Sequence, residues 1–584
     1  MTHRLIVTRA AVVFVCAVIA GRLVQLQLVE GARNRELAEQ NRIRIVRSLA
    51  PRGTIYDRNG RVLATSRLAF SVTAVPEHLR ASANDDPAPL LAEVLGLPVA
   101  KVRSYLAGQG AFGYEAVPLL RDAPREVVAR VEEHSPYLSG VSVLADAVRH
   151  YPRGQLAAHV LGYVREIGPR ELGDAEHADY QPTDLTGKAG VEKVAERVLR
   201  GADGGHQVEV DARGRRVRTL GTVPPRPGDD VRLTLDLELQ RVAEEGLGGR
   251  PGAAVALDPW TGEILALASS PSYDPNLFIG ALSAADWRRL SGPDHPQQDR
   301  ATTALYPPGS LFKIITAAAA LEAGETSVND WFKCTGVFHI GSWRLRCWKR
   351  DGHGDVNFTQ GFGRSCNVMF AALGRRVGPE GLAAMARRFG LGRPTGVDLP
   401  DESAGLVPTP EWKQERRKQP WYPGDTCQMA VGQGDCLITP LQMAQVVAAV
   451  ANGGKLMRPH IILEMAGDAG PREPVIASDV GLRTSTLEAI RGGMKAVVAP
   501  GGTAARIATD EYAIAGKTGT AQVTGGAPHA WFAGFAPADD PKLAVAVVVE
   551  HGGNGNEVAA PIARRIFDTA LLAERQRDQH AHQR

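Results

Sequence analysis

The first place where this chain could do chemistry is a serine three residues ahead of a lysine. Ser310 and Lys313 stand in Tyr306-Pro307-Pro308-Gly309-Ser310-Leu311-Phe312-Lys313. The Pro-Pro-Gly breaks any preceding element, and the Ala-rich run 314–321 favours helix. Ser310 is therefore expected at a helix N-terminus, where serine is preferred. Positions i and i+3 of a helix share a face, so hydroxyl and amine would be neighbours. Such a hydroxyl becomes a nucleophile if burial or a second cation keeps the lysine neutral. The helix dipole favours the negative charge that develops there. A capping serine beside an unrelated exposed lysine fits the same residues, and S-x-x-K alone recurs by chance in 584 residues.

Two later stretches add to it: Ser365-Cys366-Asn367 and Gly516-Lys517-Thr518-Gly519-Thr520. The second follows the strand-like Tyr512-Ala513-Ile514-Ala515. Residues 531–535 and 543–549 read as its neighbouring strands. S-x-x-K, S-x-N and K-T-G in this order are the motif set of class A β-lactamases and penicillin-binding proteins.

These residues need more than one domain to hold them, since 584 residues exceed a single core. Apolar content of 44% and charged content of 22% are ordinary for globular protein. A formal charge of +3 is close to balanced and argues for neither nucleic acid nor an acidic polymer as partner. Six cysteines are too few for a disulfide scaffold.

The N-terminus reads as a membrane anchor. Residues 10–21 are uninterrupted apolar, and 23–29 extend the run past Arg22. The span 5–29 reaches the ~20 residues a bilayer crossing needs. Arg4 and Arg9 precede it, which places the N-terminus in the cytoplasm and the remainder outside. A cleaved signal peptide is the competing reading, but no small-x-small cleavage site followed by a mature start is present. The expected order is 1–4 cytoplasmic, 5–29 anchor, 30–228 a pedestal domain, 229–572 the domain holding the motifs, and 573–584 a disordered polar tail.

Within the pedestal, residues 33–41 read as a polar helix and 41–47 alternate as a strand does. Asn59-Gly60 marks a hairpin. Residues 90–106 and 125–134 read as helices, and 208–219 as strands joined at Gly214. No cluster of catalytic groups occurs here, so a supporting role is expected. Val223-Pro224-Pro225-Arg226-Pro227-Gly228-Asp229 is a boundary. Beyond it come a strand (231–236), a helix (237–247) and two strands (252–258, 263–269) joined by Pro259-Trp260-Thr261-Gly262.

From anchor to about Leu572 the chain resembles class B penicillin-binding proteins. Within them it resembles the elongation type, penicillin-binding protein 2, more than the septal type. Pro410-Glu411-Trp412-Lys413, Trp421-Tyr422-Pro423-Gly424-Asp425-Thr426 and Val431-Gly432-Gln433-Gly434 carry the finer likeness. Arg52-Gly53 to Asn59-Gly60, Tyr151-Pro152-Arg153-Gly154 and Gly190-Val191-Glu192-Lys193 match the pedestal. The resemblance implies an α+β multidomain protein: one transmembrane helix, an elongated mixed α/β pedestal and a β-lactamase-like transpeptidase domain with an antiparallel sheet flanked by helices. It implies that Ser310 attacks the penultimate D-Ala carbonyl of a stem peptide, and that Lys313 is the base. Ser365 would relay a proton, and Asn367 would hold the substrate backbone. Lys517 would keep Lys313 neutral and, with Thr518, Gly519 and Thr520, receive the substrate carboxylate. The N–H groups of Ser310 and Thr520 would form the oxyanion hole. β-Lactams would acylate the same serine. Leu311, where relatives commonly carry a small or β-branched residue, is expected to alter the pocket wall. A RodA-type SEDS polymerase and an MreC-like scaffold are the implied partners. A septal-type enzyme, a serine β-lactamase or D,D-carboxypeptidase, a penicillin sensor and a non-catalytic scaffold for a glycan polymerase are the alternatives.

Cys334, Cys347, His353 and Cys366 fall within 33 residues. Three thiolates and an imidazole make a structural zinc set, although C-x12-C-x5-H-x12-C is unlike a finger. Some penicillin-binding protein 2 sequences carry Asp, His and Cys ligands in this region, which supports zinc by resemblance. The metal would then hold Ser365 and Asn367 in place. A Cys334–Cys347 disulfide with Cys366 as a buried thiol is the other reading. Cys427 and Cys436 read as core or a second pair.

Overall fold

The computed structural model describes residues 2–31, 43–75, 79, 86–107, 116–138, 140–210, 216–280, 282–468 and 470–582. The expected polar helix at 33–41 and the joint at Gly214 lie outside them. The chain forms two compact units, each built from separate stretches.

One unit comprises Met1–Arg52, Ser66–Val148 and Arg200–Gly228. It opens with helix Thr2–Val24, which runs on as a π turn over Gln25–Val29. The window Val12–Val29 has a mean hydropathy of 2.1 and none of it is buried. This is one helix long and apolar enough to cross a bilayer. Ile43–Ser48, Gly204–Val210 and Arg216–Val223 form an antiparallel sheet in that order. Helices Ala88–Leu95, Val99–Ala107 and Arg125–Glu133 enclose a small core that includes Leu91, Leu95, Val102, Val127 and Val131. Gly96 (φ 67) ends the first of these helices, so the expected 90–106 helix is two.

The other unit takes Asp229–Arg584 together with Gly53–Thr65 and Arg149–Leu199. These last two stretches were expected in a continuous pedestal. Local pairing explains where they fall: Ile55–Tyr56 runs parallel to Val231–Leu233, and Arg149 donates to Gly53 O at 2.6 Å. Five antiparallel strands form the central sheet, in the order Ile264–Ser270, Gly252–Leu257, Leu543–Val549, His529–Ala536, Ala515–Ala521. Every residue of the first four is buried, so both faces are covered. The cover is helical: Leu237–Leu247 with Ala559–His582, and Pro440–Ala451 with Thr484–Val498. The last helix continues to His582 and replaces the disordered tail expected at 573–584. Its Glu, Arg, Gln and Ala residues are good helix formers, which polarity alone does not reveal.

Candidate active site

The Ser310 segment is pinned on three sides. Tyr306 exchanges backbone hydrogen bonds with Ile438, and its phenol donates to Glu550 Oε1 at 2.8 Å, beside Arg300. Gly309 N–H donates to Gly432 O at 2.8 Å. A Cβ at Gly432 (φ 75) would collide with Gly309 O, and one at Gly519 would lie 3.2 Å from Pro308 O and 3.3 Å from Leu311 Cγ. The K-T-G strand thus lies directly behind the serine turn. Leu311 is fully buried and packs behind Gly519, so it is core and not the altered pocket wall expected of it. Gly309–Phe312 is a 3-10 turn leading into helix Lys313–Glu322. Ser310 thus lies in the N-terminal turn of the helix, as expected, and Lys313 is fully buried, not the exposed lysine of the alternative reading.

Lys313, Ser365, Asn367 and Lys517 converge beneath this turn. Lys313 Nζ donates to Ser365 O (2.9 Å), Ser365 Oγ (3.1 Å) and Asn367 Oδ1 (2.6 Å). Lys517 Nζ donates to Ser365 Oγ at 2.9 Å. The two nitrogens share one oxygen, so they are at most about 6 Å apart. Both lysines are fully buried, and neither pairs with a carboxylate among the described residues. Burial pushes Lys313 down to about 8. It pushes Lys517 well below its ordinary value, and the charge of Lys313 adds to that. For Lys313 burial is the lowering cause, whereas Lys517 is lowered by burial and by the charge of Lys313. Ser365 takes φ 54, a left-handed conformation rare for a residue with a side chain. With its oxygen accepting from two amines, its own proton is left for a group in the cleft.

Asn367 opens the helix Asn367–Arg388, which is interrupted at Gly378 (φ 77). Its Nδ2 donates to Arg346 O at 3.1 Å. Cys366 caps the same helix, its sulfur accepting from Met369 N at 3.5 Å. Cys366 also belongs to a second cluster. The ligand atoms of Cys334, Cys347, His353 and Cys366 all lie within 4.8 Å of one another, and all four residues are buried. His353 Nδ1 is 3.5 Å from both Cys334 Sγ and Cys347 Sγ. Donor spacings of about 3.8 Å are what tetrahedral thiolate coordination requires. The hydrogen bond from Cys366 pushes the Cys347 thiol down to about 4 and Cys366 upward. No S–S bond links any of the six cysteines in this structure. Cys427 and Cys436 are buried singly in the core.

Residues 252–568 match the penicillin-binding protein transpeptidase domain, and 47–233 match the penicillin-binding protein dimerisation domain. The chain is 35% identical to the peptidoglycan D,D-transpeptidase MrdA of Escherichia coli K12, over 99% of this chain and 95% of that one. The chain belongs to the penicillin-binding protein transpeptidase family. Penicillin-Binding Protein 2 of Helicobacter pylori, solved in complex with MreC, superposes with a TM-score of 0.76 at 30% identity, covering 91% of this chain and 99% of that one. A chain from a structure describing polymerization and crosslinking by a peptidoglycan synthase complex matches with a TM-score of 0.71 at 33% identity, covering 97% of each.

In this penicillin-binding protein, Ser310, Ser365, Asn367, Thr518 and Thr520 line one cleft of about 960 Å³. Thr518 Oγ1 is 2.7 Å from Thr503 Oγ1. Sequence reasoning missed other lining residues: Thr503, Gln522, Asn554 and Asn556, and the hairpin's Trp343, Arg344 and Arg346 with Trp348. The run Trp343-Arg344-Leu345-Arg346-Cys347-Trp348-Lys349-Arg350, aromatic and cationic by turns, was the available signal. The residues carrying the finer likeness also meet. Lys413 pairs with Asp425 at 2.5 Å, Tyr422 N donates to Asp425 Oδ2, and Trp421 Nε1 donates to Thr426 Oγ1.

Proposed function

We propose that this chain is a peptidoglycan D,D-transpeptidase of the elongation type, cross-linking stem peptides through an acyl-enzyme on Ser310. The observation that carries it is the junction at Ser365 Oγ, where two buried lysines with no carboxylate partner among the described residues meet behind the serine turn that the K-T-G strand backs. Lys313, held near the working pH by burial, takes the Ser310 proton as the oxygen attacks the penultimate D-Ala carbonyl. The new oxyanion is met by the N–H groups of Ser310 and Thr520. The Ser365 hydroxyl passes a proton to the departing terminal D-Ala amine. Thr518, Thr520 and Lys517 receive the terminal carboxylate, whose charge favours protonated Lys517. Asn367 fixes Lys313 and the peptide backbone. An amine of a neighbouring stem peptide then attacks the ester, forming the cross-link and freeing Ser310. β-Lactams enter the same sequence and stop at the ester. Labelling with a fluorescent penicillin tests this: wild type is labelled on Ser310, and Ser310→Ala is not. Labelling that survives Ser310→Ala defeats the reading, and rapid turnover of penicillin favours a β-lactamase.

The thiol and imidazole donors fit a structural Zn2+ held by Cys334, Cys347, His353 and Cys366. Bound there, the ion would supply cross-linking and no reaction chemistry, joining the strands at Cys334 and Cys347 to the Ser365 turn. One zinc per purified chain is expected, and a Cys334–Cys347 disulfide found by mass spectrometry defeats it. The apolar N-terminal helix supports a single-pass protein of the inner membrane with its bulk outside the cytoplasm. The H. pylori relative bound to MreC and the synthase-complex relative support an MreC-like scaffold and a RodA-type polymerase as partners.

A further inference from the structure

The hairpin Val337–Ile340 and Trp343–Arg346 stands at the cleft lip and carries two arginines that nothing in the reaction above uses. It is held firmly. Cys347 N donates to Gly336 O at 2.8 Å at its foot, where Cys347 joins the Cys/His cluster. Arg346 O accepts from Asn367 Nδ2, and the Trp343 ring packs so closely on Gly424 that a Cβ there would be 3.1 Å from it. Arg344 and Arg346 are exposed, line the same cleft as Ser310, and pair with no carboxylate among the described residues. A guanidinium keeps its charge at every working pH and is shaped to take a carboxylate. Thr503, Gln522, Asn554 and Asn556, which line the same cleft, offer hydroxyls and amides. The cationic side chains of the lining are therefore those of the hairpin.

The cleft has a direction. Thr518 and Thr520 lie on the K-T-G strand, where the proposed reaction places the substrate's terminal carboxylate. The donor peptide must leave the other way, past Asn367. A single amide, that of Asn367, bridges Lys313 Nζ and Arg346 O. An extended residue advances about 3.3 Å, so one or two residues reach the hairpin. We propose that Arg344 and Arg346 form a subsite for a side-chain carboxylate on the donor stem peptide, at the residue preceding D-Ala-D-Ala. This rests on the transpeptidase reading. The subsite selects donors whose side chain ends in a free acid over those in which it is amidated.

The test uses full-length protein in detergent and two peptides ending in D-Ala-D-Ala, one with a carboxylate at the preceding side chain and one with its primary amide. Both are mixed in one tube, and the acyl-enzymes on Ser310 are counted by mass spectrometry. The ratio gives relative kcat/KM and does not depend on the fraction of chains folded. Wild type is expected to favour the acid about tenfold, as two partly exposed charge-assisted contacts allow. Raising salt lowers the preference. Arg344→Ala with Arg346→Ala brings the ratio close to one, and the paired Lys variant keeps part of it. A wild-type ratio near one, a double Ala variant that retains the preference, or a chain that penicillin labels but neither peptide acylates would each overturn the subsite. If penicillin also fails to label Ser310, the transpeptidase reading itself fails.

Discussion

Two buried cationic sites in the same unit make a useful contrast. Arg149 and Glu192 are completely buried and paired at 2.5 Å, with Tyr151 OH also on the carboxylate and Gly53 O on the guanidinium. Lys313 and Lys517 are as deeply buried, and their amines donate to uncharged oxygens of Ser365, Asn367 and Thr518. The first site sets a cation against a carboxylate. The second has no carboxylate partner among the described residues, and burial drives it toward losing protons. A buried cation with its carboxylate is scaffold, and one without it is poised for proton transfer.

Replacing Lys313 by Ala should test the uncompensated side most severely. Acylation by penicillin is expected to fall about 10³-fold in stopped-flow labelling, the scale of a lost general base. A loss under tenfold would remove Lys313 from that role. On the compensated side, Glu192→Gln leaves Arg149 buried with no counter-charge. A loss of about 3–5 kcal/mol in denaturant unfolding of that unit is expected, with the Arg149→Met, Glu192→Leu pair recovering most of it. A stable Glu192→Gln protein would erase the contrast. The smallest effect is in pH. Lys313 acts as a base when neutral, and its folded value lies near 8, so the neutral fraction grows as pH rises. The second-order rate of acylation should climb about tenfold per unit up to about 8 and then level. A profile flat from about 6 to 9 would mean that the proton passes between the two lysines and is not lost to solvent.

The candidate catalytic residues were legible because each sits in a short motif whose local structure follows from nearby residues: Pro-Pro-Gly before Ser310, and alternating strands around Lys517. The five-stranded sheet was legible for the same reason. Arg344 and Arg346 were not, because what gives them meaning is long-range. The hairpin is set at the cleft by Asn367, by Gly424 and, through the adjoining Cys347, by the Cys/His cluster, whose other members lie elsewhere in the chain. Tyr151 and Glu192 stand in two separate stretches of the sequence, yet with Arg149 they close on Gly53 as one cluster. Their common burial pulls residues 149–199 into the larger unit, and composition carries no trace of that pairing.

Gly519 has one further consequence. Its missing side chain lets the strand lie flat on the serine turn, with Trp531 Cβ, Pro308 O and Leu311 Cγ all inside 3.4 Å of where a methyl would sit. Drug pressure on this enzyme therefore has little room to act from behind the nucleophile. Variants that evade an antibiotic yet still build wall must arise at the rim, where side chains face water and can change without moving the serine.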